Sequence, residues 1–329
     1  MRHMFCALLM LPAATPATAS QEEVCRAESI IAELDRKDPK TVARILREAG
    51  EVENSQAMLW RIERGGTPAS YLFGTIHVGD RSLSELSPKT LVALRASSTV
   101  ALEAEQVSAK QMPYIMAQAG KLMSARDKPL QHKLDADELS VVERSLVASG
   151  YPSDLALGIR PWVAILFLTG SNCQGPERPG TKPLDLIISD EARRAGQKLI
   201  GLETMLEQFQ SLSEIDDEVQ LSWLRASIAT HDRIDDITHT MAELYRFRRI
   251  NAVWELTREL ATTAKLTDAD LSAIQAGLVA KRNVRLADRS VPLLEAGGAF
   301  VAVGALHLSG RDGLVAAFRS RGYTLHPIE

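Results

Sequence analysis

The sequence predicts an α/β protein with a mainly parallel central sheet, helical layers and long helical insertions. Short apolar runs with strand-like composition occur at wide intervals, and the long stretches between them have helical periodicity. Strands separated by helices are typical of a parallel sheet covered by helices. The composition, with 329 residues of which 45% are hydrophobic and 24% charged, is that of an ordinary globular chain.

The first residues predict an export signal rather than part of the fold. Arg2 precedes the apolar run 4–11, and a small-x-small pattern ends at Ala19, as signal peptidase requires. We therefore expect a signal peptide over residues 1–19 and a mature chain, 20–329, that is periplasmic or secreted. The apolar run is far shorter than the roughly 20 residues that span a bilayer, so we expect no transmembrane span.

Cleavage after Ala19 would remove Cys6 and leave Cys25 and Cys173 as the two cysteines of the mature chain. Disulfides persist in exported proteins, so we predict that these two residues form one. The alternative is a pair of unrelated buried thiols, because sequence spacing does not fix the distance between two Cα atoms.

Apolar residues at helical spacing predict a helical segment over 30–46, broken at Pro39. Five apolar runs predict strands: Tyr71–Val78, Thr99–Glu103, Lys198–Glu203, Ala299–Leu308 and Tyr323–Ile328. The last of these closes a single α/β domain over 20–329.

The stretches between the strands predict helices. They are Pro88–Ala96, Gln111–Met123, Asp135–Ser149, Pro161–Thr169, Leu184–Ala195, Asp216–Ala229, Ile234–Ala261 and Asp268–Ala296. Several have start signals, such as Asp135 with Glu138 three residues later. Helices fill two regions, about 107–182 and 213–296, which we interpret as helical insertions into the domain.

Residue types that bind metals stand at the predicted carboxyl ends of four strands: His77, Glu103, Glu203 and His307. Each histidine ends a Gly-x-x-His tetrapeptide, and each glutamate follows a leucine. The carboxyl ends of parallel strands meet at one edge of a sheet, where ligands bind. Two imidazoles and one or two carboxylates at one place have the composition of a divalent-metal site.

Each of these signals is weak alone. A single His or Glu at a strand end more often caps the next helix or forms a hydrogen bond within a loop. Two Gly-x-x-His tetrapeptides on separate apolar strands favour the metal site over that interpretation.

These motifs resemble those of the TraB/GumN family, which also contains PrgY and the animal Tiki proteins. The resemblance extends from about Leu59 to the C-terminus. The similar blocks are Tyr71–His77, Val100–Glu103, Leu184-Asp185 with Gly201–Thr204 and Gln208, and Arg282-Asn283 followed by Phe300–Leu308 and Gly310.

The resemblance implies a fold similar to that of erythromycin-esterase-like and haem-binding ChaN-like proteins. It also implies, from the Tiki proteins, metal-dependent proteolysis that prefers manganese or cobalt. The TraB and PrgY members are associated with control of peptide pheromones.

We expect His77, His307 and Glu103 to hold the divalent metal, with Mn²⁺ or Co²⁺ preferred and Zn²⁺ or Fe²⁺ open. Glu203 is expected as a fourth ligand or a general base, and the sequence leaves the roles of the two glutamates interchangeable. Arg282 is expected to bind a substrate carboxylate or an oxyanion, the alternative being an ordinary surface arginine.

The sequence favours a metal-dependent hydrolase acting on peptides. The alternative is a non-catalytic protein that binds or sequesters a peptide or small ligand, and a third interpretation is an accessory factor in polysaccharide export. A net charge of −4 disfavours nucleic acid as a partner. The sequence contains no Gly-x-Ser-x-Gly motif, which disfavours a serine hydrolase. The sequence does not predict the oligomeric state.

Overall fold

The computed structural model describes residues 27–105, 107–125, 129–171, 173, 182–264 and 266–329, without the side chains of 262–264. These residues form the predicted α/β fold around a six-stranded sheet. The predicted signal peptide and Cys25 lie outside the described residues.

The sheet is parallel over four of its strands. In chain order the strands are β1 (Leu59–Glu63), β2 (Ser70–Thr75), β3 (Thr99–Ala104), β4 (Lys198–Glu203), β5 (Ala299–Gly304) and β6 (Thr324–Pro327). Their order across the sheet is β4-β3-β5-β2-β1-β6. The pairs β4–β3, β3–β5 and β5–β2 are parallel, whereas β1 is antiparallel to both β2 and β6. The carboxyl ends of β2, β3, β4 and β5 therefore form one edge.

Helices connect and cover these strands. They are α1 (Ile30–Lys37), α2 (Pro39–Glu51), α3 (Pro88–Arg95), α4 (Met112–Met123), α5 (Ala136–Ala148), α6 (Pro161–Leu168), α7 (Leu184–Arg194), α8 (Met205–Ser213), α9 (Asp217–Ala229), α10 (Ile234–Arg246), α11 (Ala252–Ala264), α12 (Asp268–Gln275), α13 (Lys281–Ala296) and α14 (Leu314–Ser320). A π-helical turn, Ala276–Ala280, joins α12 to α13.

Both faces of the sheet are buried under helices, which gives three layers. On one face, Leu94 of α3, Ile188 of α7 and Tyr245 of α10 pack against strand residues. On the other face, Leu286 of α13 and Phe318 of α14 do the same. Burial on both faces explains why the central strands are almost continuously apolar in sequence. It also places α7 and α13 on opposite sides of the same strand ends.

The remaining helices form cores of their own. Helices α4, α5, α6, α8 and α9 pack around a buried cluster in which the rings of Trp162 and Phe209 lie 5.7 Å apart. Helices α1 and α2 pack against α10 and α11. None of the helices in the described residues combines the length and the apolar character that a membrane crossing needs.

Two predicted strands end several residues earlier than expected, and one strand was not predicted. Strand β2 ends at Thr75 and β5 ends at Gly304, so His77 and His307 follow their strands instead of belonging to them. His307 lies in a 3-10 turn, Ala305–His307. Strand β1 was not predicted, because a run of only five residues gives a weak signal. Three of its five residues are nevertheless buried.

The helix predicted over Ile234–Ala261 is two helices, and that prediction was wrong. Helix α10 ends at Arg246, α11 begins at Ala252, and Arg248 between them has a φ of 58°. No glycine or proline marks this break, so the sequence gives no warning of it. By contrast, Pro39 begins α2 immediately after Asp38, which caps it, as the predicted break requires.

Candidate functional site

Three of the predicted side chains converge at the end of β5. A Cβ atom placed on Gly304 would lie 3.2 Å from Oε2 of Glu103, 3.3 Å from Nε2 of His77 and 3.5 Å from Cδ2 of His307. Nε2 of His77 lies 3.6 Å from Oε2 of Glu103, and Nε2 of His307 lies 3.9 Å from the same oxygen. The glycine therefore provides the space in which a carboxylate oxygen and two imidazole nitrogens face one another.

His77 is held by a carboxylate from α7. Its Nδ1 lies 2.7 Å from Oδ2 of Asp185, whose other oxygen accepts a hydrogen bond of 2.8 Å from Oγ1 of Thr75. Burial alone would lower the pKa of His77, but Asp185 and Glu103 outweigh it and raise the pKa to about 10. His77 is the more accessible of the two imidazoles, with a side chain that is 20% exposed.

His307 is held by a neutral amide from α13, on the opposite face of the sheet. Its Nδ1 lies 2.6 Å from Oδ1 of Asn283. Burial lowers the pKa of His307 to about 3, with Arg282 and His77 adding to the effect and Glu103 opposing it. The same tetrapeptide motif thus delivers two histidines with opposite preferences for a proton.

Glu103 connects the histidines to a buried arginine. Its Oε1 accepts a hydrogen bond of 2.5 Å from Nη2 of Arg282, and its Oε2 accepts one of 2.6 Å from the backbone N–H of Gly304. Burial would raise the pKa of Glu103, but Arg282, together with His307 and His77, holds it well below its usual range. Glu103 is therefore ionised, and its Oε2 faces the imidazoles.

Glu203 lies at the same edge with both oxygens turned towards arginines. Its Oε1 accepts from Nε and Nη2 of Arg285, at 2.9 and 2.5 Å. Its Oε2 accepts from Nε and Nη2 of Arg282, at 3.0 and 2.6 Å, and from the amide of Gln208 at 3.5 Å. These bonds distinguish the two glutamates that the sequence left interchangeable.

Arg282 is not a surface arginine. It is 4% exposed, and its guanidinium bonds both glutamates and, through Nη1, the carbonyl oxygen of Leu278 at 3.1 Å. Burial opposes its charge, but Glu103 and Glu203 raise its pKa above the usual range. A guanidinium bound in this way is directed at the protein, so the geometry favours a structural task over contact with a substrate.

The roles of Asp185 and Asn283 were missed by sequence reasoning. Both residues stand in the sequence blocks that carry the family resemblance, which was the available signal. Their partners are 108 and 24 residues away along the chain, counting His77 to Asp185 and Asn283 to His307, so no local pattern reveals the pairing. No sequence pattern identified Tyr245, whose OH donates a hydrogen bond of 2.6 Å to the carbonyl oxygen of Gly74.

Only one of the two cysteines of the predicted disulfide is among the described residues. Cys173 is disulfide-bonded. Cys25 lies outside the described residues, so the pairing of these two cysteines stays a prediction.

The donor types at Gly304 suit a divalent metal, but they are more widely spaced than in a ready site. Among the described residues, no group of three or more His, Cys, Asp or Glu side chains is arranged to hold a metal ion. Two ligands on a tetrahedral ion with bonds of about 2.1 Å stand about 3.4 Å apart. The separations of 3.6 and 3.9 Å from Oε2 of Glu103 to the two Nε2 atoms exceed this by a few tenths of an ångström.

Comparison with models of protein families identifies one family. The model of the TraB/PrgY/gumN family matches residues 58–327. A protein of Treponema pallidum (strain Nichols), described as uncharacterized, is 23% identical to this chain and is aligned over 82% of each of the two sequences. No solved structure matches the chain.

Proposed function

Since the chain belongs to the TraB/PrgY/gumN family, we propose that it is an exported, metal-dependent hydrolase that cleaves peptide bonds. The observation that carries the proposal is the arrangement around Gly304. There, Nε2 of His77 and Nε2 of His307 both face Oε2 of the ionised Glu103, at 3.6 and 3.9 Å.

The partners of the two imidazoles support this proposal. In metal sites, a ligating histidine almost always has its other ring nitrogen held by a carboxylate, carbonyl or similar group. Oδ2 of Asp185 lies 2.7 Å from Nδ1 of His77, and Oδ1 of Asn283 lies 2.6 Å from Nδ1 of His307. The other ring nitrogen of each histidine, Nε2, faces Glu103.

The charge balance of the cluster also favours a cation. Three carboxylates, those of Glu103, Glu203 and Asp185, stand against the guanidiniums of Arg282 and Arg285. One negative charge is therefore left over. In the metal-free protein a proton on His77 balances it, which is why the pKa of His77 rises to about 10. A divalent cation can take the place of that proton.

In this proposal His77, His307 and Glu103 hold the metal, with Mn²⁺ or Co²⁺ preferred and Zn²⁺ or Fe²⁺ as alternatives. The ion, when bound, lowers the pKa of a water molecule so that hydroxide is available near neutral pH. Arg282 fixes Oε1 of Glu103 and so directs Oε2 at the imidazoles.

Glu203 and Arg282 become positioning residues in this proposal. Glu203 holds Arg282 and Arg285, and Arg282 holds Glu103. The general base and the group that binds the substrate are then to be sought among residues at the rim of the site. His77, which is partly exposed, is the ligand nearest to solvent.

The proposed location follows from the first 19 residues, whose pattern predicts a signal peptide. A peptide substrate or ligand outside the cytoplasm is consistent with this location and with the family resemblance. We propose the disulfide between Cys25 and Cys173 as part of the same exported form.

The test is elemental analysis of the mature protein, purified without chelator and incubated with Mn²⁺ and Co²⁺. We expect about one equivalent of bound metal, lost in His77→Ala and in His307→Ala. His326→Ala is the matched control, because His326 is exposed on β6 and far from Gly304 in the sheet order. Metal retained in both site variants would contradict the proposal. A screen of peptide cleavage with the preferred metal then tests the reaction.

A second function is favoured by one observation, namely that no ready metal site exists among the described residues. In that case the same cleft binds or sequesters a peptide or small ligand without cleaving it. A wild-type protein that takes up no metal, or that takes up metal and cleaves no peptide, would support this alternative.

A further inference from the structure

The orientation of the Asn283 amide is fixed by its neighbours. Its Nδ2 donates to the carbonyl oxygen of Asp312 at 2.7 Å and to that of His307 at 3.3 Å. A carbonyl oxygen can only accept, so an amide turned the other way would place oxygen against oxygen. Oδ1 of Asn283 therefore faces Nδ1 of His307, at 2.6 Å.

An amide oxygen can only accept, so Nδ1 of His307 must carry the hydrogen. A neutral imidazole has one such hydrogen, and Nε2 then has a free lone pair. That lone pair is on the side of Glu103, whose Oε2 lies 3.9 Å away and is also an acceptor. A cation or a donor placed between these two acceptors would satisfy both of them.

Both partners are buried, so water does not compete with this bond. Asn283 is 3% exposed and His307 is 4% exposed. The bonds to His307 and Asp312 also join α13 to the loop that follows β5. The neighbouring Arg282 reaches Glu103 from the same turn of α13, so one helix end orients two of the three proposed ligands.

We propose that Asn283 is a positioning residue that keeps His307 in the tautomer with the hydrogen on Nδ1, so that Nε2 is presented as a metal ligand. The use of this tautomer rests on the proposed function. The tautomer itself does not, because the hydrogen bonds of Asn283 determine it in the metal-free protein.

The first experiment measures the tautomer in the wild-type protein. Chelator-treated protein labelled with ¹⁵N-histidine is examined by two-bond ¹H–¹⁵N spectra, which distinguish the two nitrogens of each imidazole, and His307→Gln assigns the signals. We expect His307 to carry its hydrogen on Nδ1. A hydrogen on Nε2 would overturn the proposal, and this result requires no variant of Asn283 that might fail to fold.

The second experiment uses Asn283→Ala with Asn251→Ala as its matched control. Asn251, immediately before α11, is also a buried asparagine bound to the loop that follows β5, since its Oδ1 accepts from Oγ of Ser309 at 2.7 Å. We expect Asn283→Ala to mix the two tautomers of His307 and to weaken the affinity for Mn²⁺ about 10- to 100-fold. Asn251→Ala should keep the wild-type tautomer and an affinity within about twofold.

The outcomes separate this inference from the proposed function. An unchanged tautomer in Asn283→Ala, or an equal loss in Asn251→Ala, would overturn the role of Asn283. A wild-type protein that binds no Mn²⁺ but has the hydrogen of His307 on Nδ1, lost in Asn283→Ala, would contradict the proposed function and leave the positioning role intact.

Discussion

Glu103 and Glu203 follow a leucine at the ends of adjacent parallel strands, and both are buried, yet they do different things. Strand β3 lies between β4 and β5, so Glu103 meets both the imidazoles and Arg282. Strand β4 is at the edge of the sheet, and both oxygens of Glu203 bond the arginines of α13. The position of the strand, more than the local sequence, determines what each carboxylate can do.

The largest expected effect of this difference is on metal binding by Glu103→Gln. An amide in place of the carboxylate puts an NH₂ group against either Arg282 or the N–H of Gly304, and it removes the charge that faces the imidazoles. We expect the affinity for Mn²⁺ to fall by more than the roughly 10- to 100-fold that loss of an outer-shell partner costs. Calorimetric titration measures it. Glu105→Gln, at an exposed neighbouring position, is the control and should bind normally.

The next effect is on the free energy of unfolding. Here we expect the larger loss in Glu203→Gln, whereas the larger loss of metal affinity is expected in Glu103→Gln. Glu203→Gln leaves Arg285 without a carboxylate partner and Arg282 with Glu103 alone. Removal of one member of a buried ion pair typically lowers the free energy of unfolding by about 3–5 kcal/mol. We expect Glu203→Gln to lie at the lower end, since Arg285 is partly exposed, and to exceed the loss in Glu103→Gln.

Urea unfolding of the metal-free proteins, followed by circular dichroism, measures this order. Equal losses of stability in the two variants, or weaker metal binding in Glu203→Gln than in Glu103→Gln, would show that the two carboxylates share one task.

A smaller effect is expected from the two glycines of the Gly-x-x-His motifs. A Cβ on Gly304 would crowd Oε2 of Glu103 and Nε2 of His77, whereas a Cβ on Gly74 would meet the Cα and Cβ of Ala305 at 3.0 Å. We expect Gly304→Ala to weaken Mn²⁺ binding about tenfold, with little effect on stability. Gly74→Ala should do the reverse and lower the melting temperature. Wild-type affinity in Gly304→Ala would place the metal elsewhere.

The smallest effect concerns a third glutamate, Glu207, which is bound by another arginine of α13, Arg289. Its hydrogen bonds with Arg289 outweigh partial burial and, with Thr204, lower its pKa to about 2 from 4.5. A group whose pKa is lower in the folded state contributes stability above its unfolded pKa, and this contribution is lost as the pH falls. Because the pair is near the surface, we expect only about 1 kcal/mol.

The difference in unfolding free energy between wild type and Glu207→Gln tests this. It should be constant above about pH 5 and should shrink between pH 4.5 and 2, the two pKa values. A difference as large as that of Glu203→Gln would remove the distinction between buried and exposed arginine partners.

Much of the fold follows from sequence patterns because those patterns are local. The runs that became β3 and β4 were predicted to within a residue. For β3 the reason is that a strand buried on both faces is apolar throughout. The capping boxes at Asp135 and Thr267 mark where α5 and α12 begin. The break after Arg246 has no such marker, because packing of α10 and α11 decides it.

The candidate site is less predictable because its contacts are not local. The sequence identifies His77, Glu103 and His307, and the structure brings them together at Gly304. The sequence could not reveal that Arg282 is buried, because Arg285 and Arg289 are arginines of the same helix. Burial there depends on Glu103 and Glu203, which are 179 and 79 residues away along the chain.

The π-helical turn Ala276–Ala280 has a consequence for how relatives of this chain are compared. Such a turn contains one residue more than the α-helical turn that it replaces. Deletion of a single residue there would merge α12 and α13 into one regular helix and would rotate α12 by about 100° relative to Arg282. In an alignment, this difference is a one-residue gap within a long helix. That gap would then distinguish relatives that lack the turn before the arginine from those that keep it.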